Sequence, residues 1–235
     1  MLKLATFSIA ARCPQTGMFG VAVSTKVPAV GSICPFAKAG VGAIASQAWA
    51  NPYIGIYGLR LLEQGWNAEL VRDSLVGWDP DIERRQFTVV DRTGKTAAFT
   101  GNNTDGWQGH RAGDSYAAAG NMLVGHETID AIANSFETNA DVAFPERLLM
   151  SLEAGQAAGG DKRGKQSAAL YVVNKEEFPY ADLRVDEHKT PVDELRRIFE
   201  VCKTEYFPFM ETLPTRDNPK GSFSTEILDK MRPKD

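Results

Sequence analysis

Leu4-Ala5-Thr6-Phe7-Ser8-Ile9-Ala10-Ala11, then Pro14-Gln15-Thr16-Gly17, then Met18-Phe19-Gly20-Val21-Ala22-Val23-Ser24-Thr25: these three stretches decide the fold class. The first is short, apolar and continuous enough for a buried strand. The second has turn chemistry, because proline pre-sets φ and glycine reaches positive φ without a Cβ clash. The third resumes as a strand, so the chain opens on a hairpin.

Working outward, further strands are expected around residues 32–37 and 41–47. Asn51-Pro52 opens a helix carrying Ile54, Leu59, Leu61 and Leu62, which Gly65 ends. A second helix covers residues 67–76. Residues 86–90 and 96–100 flank a turn and read as another hairpin. Residues 102–113, rich in Gly and Asn, read as a loop, and residues 116–123 as a strand. Helices follow over 127–138, with Ile129, Ile132, Ala133 and Phe136 on one face, and over 145–157. Residues 159–165 form a turn before a strongly apolar strand at 167–173, and residues 192–202 form a last helix. Hairpin strands separated by helix pairs indicate an α+β protein with antiparallel sheets covered by helices, not an alternating βαβ fold. The expected organisation is a leader over residues 1–5, one domain over 6–207 and a polar tail over 208–235.

The 235 residues, 43% hydrophobic with 24% charged, are ordinary for a globular chain. A formal net charge of −4 without a basic stripe argues against nucleic acid as a partner. No run approaches the roughly 18 apolar residues of a membrane helix, so no membrane partner is expected. Cys13, Cys34 and Cys202 are odd in number and lack Cys-x-x-Cys spacing, which indicates reduced thiols and a cytoplasmic location.

Several familiar motifs are approached and missed. Gly159-Gly160-Asp161-Lys162-Arg163-Gly164-Lys165-Gln166 nearly spells a phosphate-binding loop. Gln166 replaces the magnesium-binding hydroxyl, however, and the order is helix–loop–strand. Gly40-Val41-Gly42-Ala43-Ile44-Ala45 fits a dinucleotide fingerprint, but Asn51-Pro52 interrupts what should be its helix. His110, His126 and His188 have no metal-ligand spacing, so neither a metal nor a cofactor is expected. There is no Gly-x-Ser-x-Gly elbow, and buried cysteines are usually inert.

One hydrolase layout remains. Were the leader removed, Thr6 would carry a hydroxyl beside its own α-amine, whose ordinary pKa is about 8. That amine can serve as the general base, and no histidine is needed. Lys38 is the lysine expected to tune the protonation states. Residue type alone also allows Thr6 as a β-branched strand former, Lys38 as a solvated strand-end charge, and Asp161-Lys162-Arg163 as a tight turn with an internal ion pair.

Thr6-Phe7-Ser8-Ile9-Ala10-Ala11-Arg12, Gly20-Val21-Ala22-Val23-Ser24, Ala39-Gly40-Val41-Gly42-Ala43 with Ser46-Gln47-Ala48, Gly120-Asn121-Met122-Leu123, residues 159–169, and Arg184-Val185-Asp186 with His188 and Pro191 together carry a family resemblance. The chain resembles the N-terminal-nucleophile (Ntn) hydrolases, and within them a functionally uncharacterised bacterial family of Ntn-hydrolase-like proteins. The resemblance implies a four-layer αββα sandwich of two antiparallel sheets with Thr6 as nucleophile. It implies that Lys38 and Asp161 tune charge, that Ser24 orients, and that Gln47 and Asn121 contact the oxyanion or substrate. Asn51 and His110 are added as substrate contacts. Gly164 departs from the serine such threonine hydrolases tend to have. Family members usually carry the threonine directly after the initiator methionine; here Leu2-Lys3-Leu4-Ala5 intervene, so Ala5–Thr6 would have to be cleaved. The expected substrate is a small-molecule amide or short peptide, and the expected assembly a homodimer. A catalytically silent binding or assembly protein on the same fold is the alternative.

Overall fold

The structure, a computed structural model, describes residues 6–104 and 106–223; the expected leader and the end of the expected tail lie outside the described residues. Among those described, the order is β1 (Thr6–Arg12), β2 (Phe19–Thr25), β3 (Pro35–Lys38), β4 (Gly42–Ala48), α1 (Pro52–Glu63), α2 (Ala68–Trp78), β5 (Arg85–Asp91) and β6 (Thr96–Thr100). The chain continues with β7 (Trp107–Gly113), β8 (Tyr116–Leu123), α3 (Glu127–Thr138), α4 (Phe144–Ala157), β9 (Ser167–Val173), β10 (Pro179–Val185), α5 (Pro191–Glu205) and α6 (Phe207–Met210). Two compact units divide it, the first ending at Leu195 and the second starting at Arg196. In the second, Phe199 and Phe207 stack edge-on with centroids 5.5 Å apart.

The first unit holds two antiparallel sheets, ordered β10-β9-β2-β1-β8-β7 and β3-β4-β5-β6. The opening hairpin closes as its residues require: Gly17, at φ +78°, donates its N–H to the Cys13 carbonyl at 2.9 Å. β1 then lies between β2 and β8, with Thr6 opposite Thr25 on one side and Asn121 on the other. Alternation sends Ala10, Val21 and Val23 into one cluster with Ala43, Ala45 and Val90 of the second sheet. β1 and β2 thus face β3, β4 and β5. The opposite face of β1 packs on helices: a Cβ on Gly155 of α4 would meet Ile132 of α3 and Phe7. Fully buried Phe7 and Ile9 contribute about 1.5–3 kcal/mol each by leaving water. On the second sheet, α1 lies against β3 and β4, and α2 against β5 and β6, around Ile44, Ile54, Leu62, Val71, Leu75 and Phe87.

Three expectations change. Residues 102–113 are not one loop, because Trp107–Gly113 forms the edge strand β7. An edge strand pairs on one side only, and β7 has no fully buried residue and a register shift between Trp107 and Gly109, so its apolar signal is weak. Residues 32–37 are not one strand: Val30–Ser32 make a 3-10 turn entered from Ala29 at φ +56°, and only then does β3 begin. β10 was not anticipated, although Ala181, Leu183 and Val185 are buried in alternation with exposed Asp182 and Arg184.

A buried ion pair ties α1 and α2 to β5. Asp79 ends α2 and accepts from Asn51 Nδ2 (2.8 Å) and Arg85 Nε (2.9 Å), while Arg85 also donates to the Trp49 carbonyl. Burial alone would raise the Asp79 carboxyl, but the bonds from Asn51, Arg85 and the Asp81 N–H, with the Arg85 charge, hold it below its ordinary range. A carboxyl depressed in the folded state stabilises above its unfolded pKa of about 4, and that stability is lost as pH falls through the folded value. Asp79→Asn is therefore expected to lower the thermal midpoint at pH 7 and to narrow the gap to wild type below pH 4; an unchanged gap across that range contradicts it.

Candidate functional site

Thr6 starts β1, the strand with three-dimensional neighbours on both sides and both faces. Its hydroxyl lies 3.1 Å from that of Thr25, directly across the ladder, and both residues are buried. Because Thr6, Ser8 and Ala10 alternate onto one face, the hydroxyl points between the sheets rather than at the helices.

That end of the inter-sheet space is polar, unlike the apolar end around Ala10. Ser8 Oγ donates to Gln47 Oε1 at 2.6 Å, and Gln47 Nε2 donates to Gln86 Oε1 at 2.8 Å. Asn121 Nδ2, beside Thr6, donates to the same Gln86 oxygen at 3.0 Å. Gln86 Nε2 reaches the Gly120 carbonyl (2.8 Å), the Gly109 carbonyl (3.1 Å) and Thr100 Oγ1 (2.9 Å). With two N–H bonds for three acceptors, one of these is shared. Thr100 in turn contacts His110 Nδ1 at 2.9 Å. Its oxygen accepts from Gln86, so its own proton is available to the imidazole. Desolvation of the His110 ring, and secondly the Arg72 charge, lower its pKa.

A loop crosses the same end of the sheet. Gly159, Gly160 and Gly164 all adopt positive φ, and a Cβ on Gly160 would sit 3.0 Å from the Phe7 ring. On the β8 side, Lys162 N–H bonds the Met122 carbonyl at 3.0 Å and Asp161 bridges to Leu123. On the β2 side, Asp161 Oδ2 accepts the Lys26 N–H at 2.9 Å, and the Gln166 N–H bonds the Thr25 carbonyl at 2.9 Å. The loop therefore spans the two neighbours of β1 at the end where Thr6 lies. Arg163 Nη2 pairs with buried Asp161 at 3.0 Å. Met122, at φ +50°, is strained for a residue with a side chain and turns β8 away just after Asn121.

The structure brings Thr6, Asn121, Asp161 and Gln47 to this end, with His110 joined through Thr100. Ser24 lies opposite Phe7, on the helix-facing side, where its buried hydroxyl has no hydrogen-bond partner among the described residues. Lys38 is half-buried, pairs with Glu63 at 2.5 Å and lies opposite Gly42. Gly42 is five residues along β4 from Gln47, about 16 Å, so Lys38 does not approach Thr6. Asn51 caps α1 by accepting the Tyr53 N–H at 3.1 Å, and its amide is taken by Asp79. Cys13 and Cys34 are buried, and burial pushes the Cys34 thiol up to about 12, which leaves it inert at neutral pH.

Thr25, Lys26 and Gln86 are not among the residues expected from the sequence, whereas the Asp161–Arg163 pair is the internal ion pair that reading the turn from residue type allows. Thr25 ends the second strand and Lys26 follows it directly, so pairing Thr6 with the end of β2 finds both. Gln86 is a lone polar residue before the apolar run Phe87 to Val90, and nothing in that pattern tells which face it takes.

The fold is thus a mixed α and β protein with two antiparallel sheets, built around a polar cluster at the head of β1. The chain belongs to a family of unknown function (DUF1028), which matches residues 6–195. Among solved structures, it is similar to the crystal structure of protein SPO2555 from Silicibacter pomeroyi, of the same family. That match has a TM-score of 0.85 at 29% identity and covers 94% of this chain and 100% of that one. Anbu, the ancestral beta-subunit from Yersinia bercovieri, is a distant match, with a TM-score of 0.38 at 10% identity over 88% of this chain and 98% of that one. No functionally curated protein matches.

Gln86→Leu would remove the shared partner of Gln47, Asn121 and the Gly120 carbonyl. At about 1–3 kcal/mol for each buried group left unpaired, a loss of at least about 2 kcal/mol is expected in urea unfolding; a change under about 0.5 kcal/mol contradicts the reading. Gly160→Ala meets both positive φ and the Phe7 ring, and should cost about 1–2 kcal/mol, where Gly77→Ala, in open space on α2, should not destabilise.

Proposed function

We propose that the protein is an amide hydrolase of the N-terminal-nucleophile type, a four-layer αββα sandwich in which cleavage between Ala5 and Thr6 frees the nucleophile. The observation that carries this is the position of Thr6. It heads a central strand, its hydroxyl faces the polar end of the inter-sheet space, and Thr25, Asn121 and the 161–166 loop surround it. The family match also begins at Thr6.

In this reading the freed α-amine takes the Thr6 hydroxyl proton as the oxygen attacks the substrate carbonyl. The oxyanion of the tetrahedral intermediate is stabilised by N–H donors at the end of β8, among them Asn121. Collapse breaks the C–N bond, and the amine proton passes to the departing nitrogen, leaving an ester on Thr6. Water, deprotonated by the same amine, then hydrolyses the ester and restores the hydroxyl. Lys26, held beside Thr25 by Asp161, takes the charge-tuning role expected of Lys38, and Arg163 pairs with Asp161. The substrate is a small-molecule amide or a short peptide. A cytoplasmic setting and a homodimer belong to the same reading.

The test uses protein whose first residue is Thr6, released by a site-specific protease from a fusion, assayed against a panel of acyl amides. Thr6→Ala is expected to lower turnover by at least about 10³-fold while leaving the thermal midpoint within a few degrees. Undiminished turnover in Thr6→Ala contradicts the proposal.

A further inference from the structure

The rim of the Thr6 site has the opposite sign to the molecule. The chain carries a formal charge of −4, yet Lys26 and the loop from Asp161 to Gln166 place Lys26, Lys162, Arg163 and Lys165 around a single carboxylate, Asp161. That carboxylate is already consumed: it is buried, takes the Arg163 guanidinium at 3.0 Å and accepts the backbone N–H groups of Lys26 and Arg163. Lys26, Lys162 and Lys165 form no ion pair with any described residue. The Lys26 ammonium lies 3.5 Å from the Lys165 carbonyl, so it is drawn over the loop, and Lys162 is exposed.

Backbone bonds hold the loop that carries Lys162 and Lys165 in place. The loop is pinned to β8 through Lys162 N–H and Met122 O, and to β2 through Gln166 N–H and Thr25 O. Lys26 is one residue beyond Thr25, which faces Thr6 directly, so its Cα is within about 7 Å of the nucleophile's. Unpaired ammonium groups repel one another and are held together here by the backbone. An anion entering between them gains attraction without having to displace a protein carboxylate.

We infer that the substrate carries a free carboxylate close to its scissile amide, as in an N-acyl amino acid or the C-terminal residue of a short peptide, and that Lys26, Lys162 and Lys165 receive it. This rests on the placement of the reaction at Thr6. Neutral amides of the same shape lose the lysine contacts while keeping those to Thr6 and Asn121.

The probes are N-benzoylglycine, which has the carboxylate, and N-benzoylglycinamide, which does not. Their binding to the full chain is measured by NMR titration, independently of catalysis. N-benzoylglycine is expected to bind about tenfold more tightly, a difference of ~1.4 kcal/mol. That ratio should fall between 20 mM and 500 mM salt, roughly as screening predicts, and should approach one in Lys162→Gln/Lys165→Gln. Equal binding of the two probes, or a ratio unchanged in the double variant, overturns the inference. Acyl-amide turnover by Thr6-initiated protein is measured in parallel. Turnover with equal probe binding overturns the carboxylate inference alone. Lysine-dependent carboxylate binding without any amide turnover supports the anion site and overturns the hydrolase reading.

Discussion

The Gln86 carboxamide is the joint on which both the fold and the site depend. Its oxygen accepts from Gln47 of its own sheet and from Asn121 of the other, and its nitrogen reaches the Gly120 carbonyl across the gap. Two sheets facing each other through alanine and valine can slide, since apolar contacts are non-directional. A buried amide with satisfied donors and acceptors cannot, because any shift strands a polar group at a cost of about 1–3 kcal/mol. The network therefore sets the register of β8 against β5, and with it the position of Asn121 beside Thr6.

The same network divides the inter-sheet space into two ends. At the far end, Ala10, Val21, Val23, Ala43, Ala45 and Val90 make a dry apolar core. At the near end, Ser8, Gln47, Gln86, Thr100 and Asn121 line up below Thr6. The Thr6 hydroxyl at the head of β1 thus lies above a polar floor, and the loop over residues 159–166 crosses the same end of the sheet. The positive φ of Gly159 and Gly160 before Asp161, and of Gly164 after it, lets Asp161 turn inward.

Much of this was legible in the residues. The β1–β2 hairpin, the β5–β6 hairpin, the α1 and α4 helices and the α3 face follow from turn chemistry and hydrophobic period, because each is fixed by local contacts. β7 was not, because an edge strand with Gln108, His110 and Arg111 has no face that must be buried. The site divides similarly. Thr6, Asn121 and Asp161 lie at strand ends that the pairing brings together. Lys38 lies apart from Thr6 because its spacing carries no information about which sheet it enters; β3 joins the other sheet, and Glu63 holds the ammonium. Ser24 lies on the helix-facing side by parity alone, since one step along β2 separates it from Thr25 and reverses its face. Lys26 gains its place from the loop that crosses to it, a contact 135 residues distant in sequence.

Everything claimed for Thr6 as a nucleophile requires its α-amine, which is an amide nitrogen as long as Ala5 precedes it. The most direct measurement is therefore the intact mass, with N-terminal sequencing, of the protein purified from the cells that naturally make it. The expected result is a chain beginning at Thr6. A chain that still begins at Met1 contradicts the account, because Thr6 would then have no base of its own and the polar floor beneath it would serve packing alone.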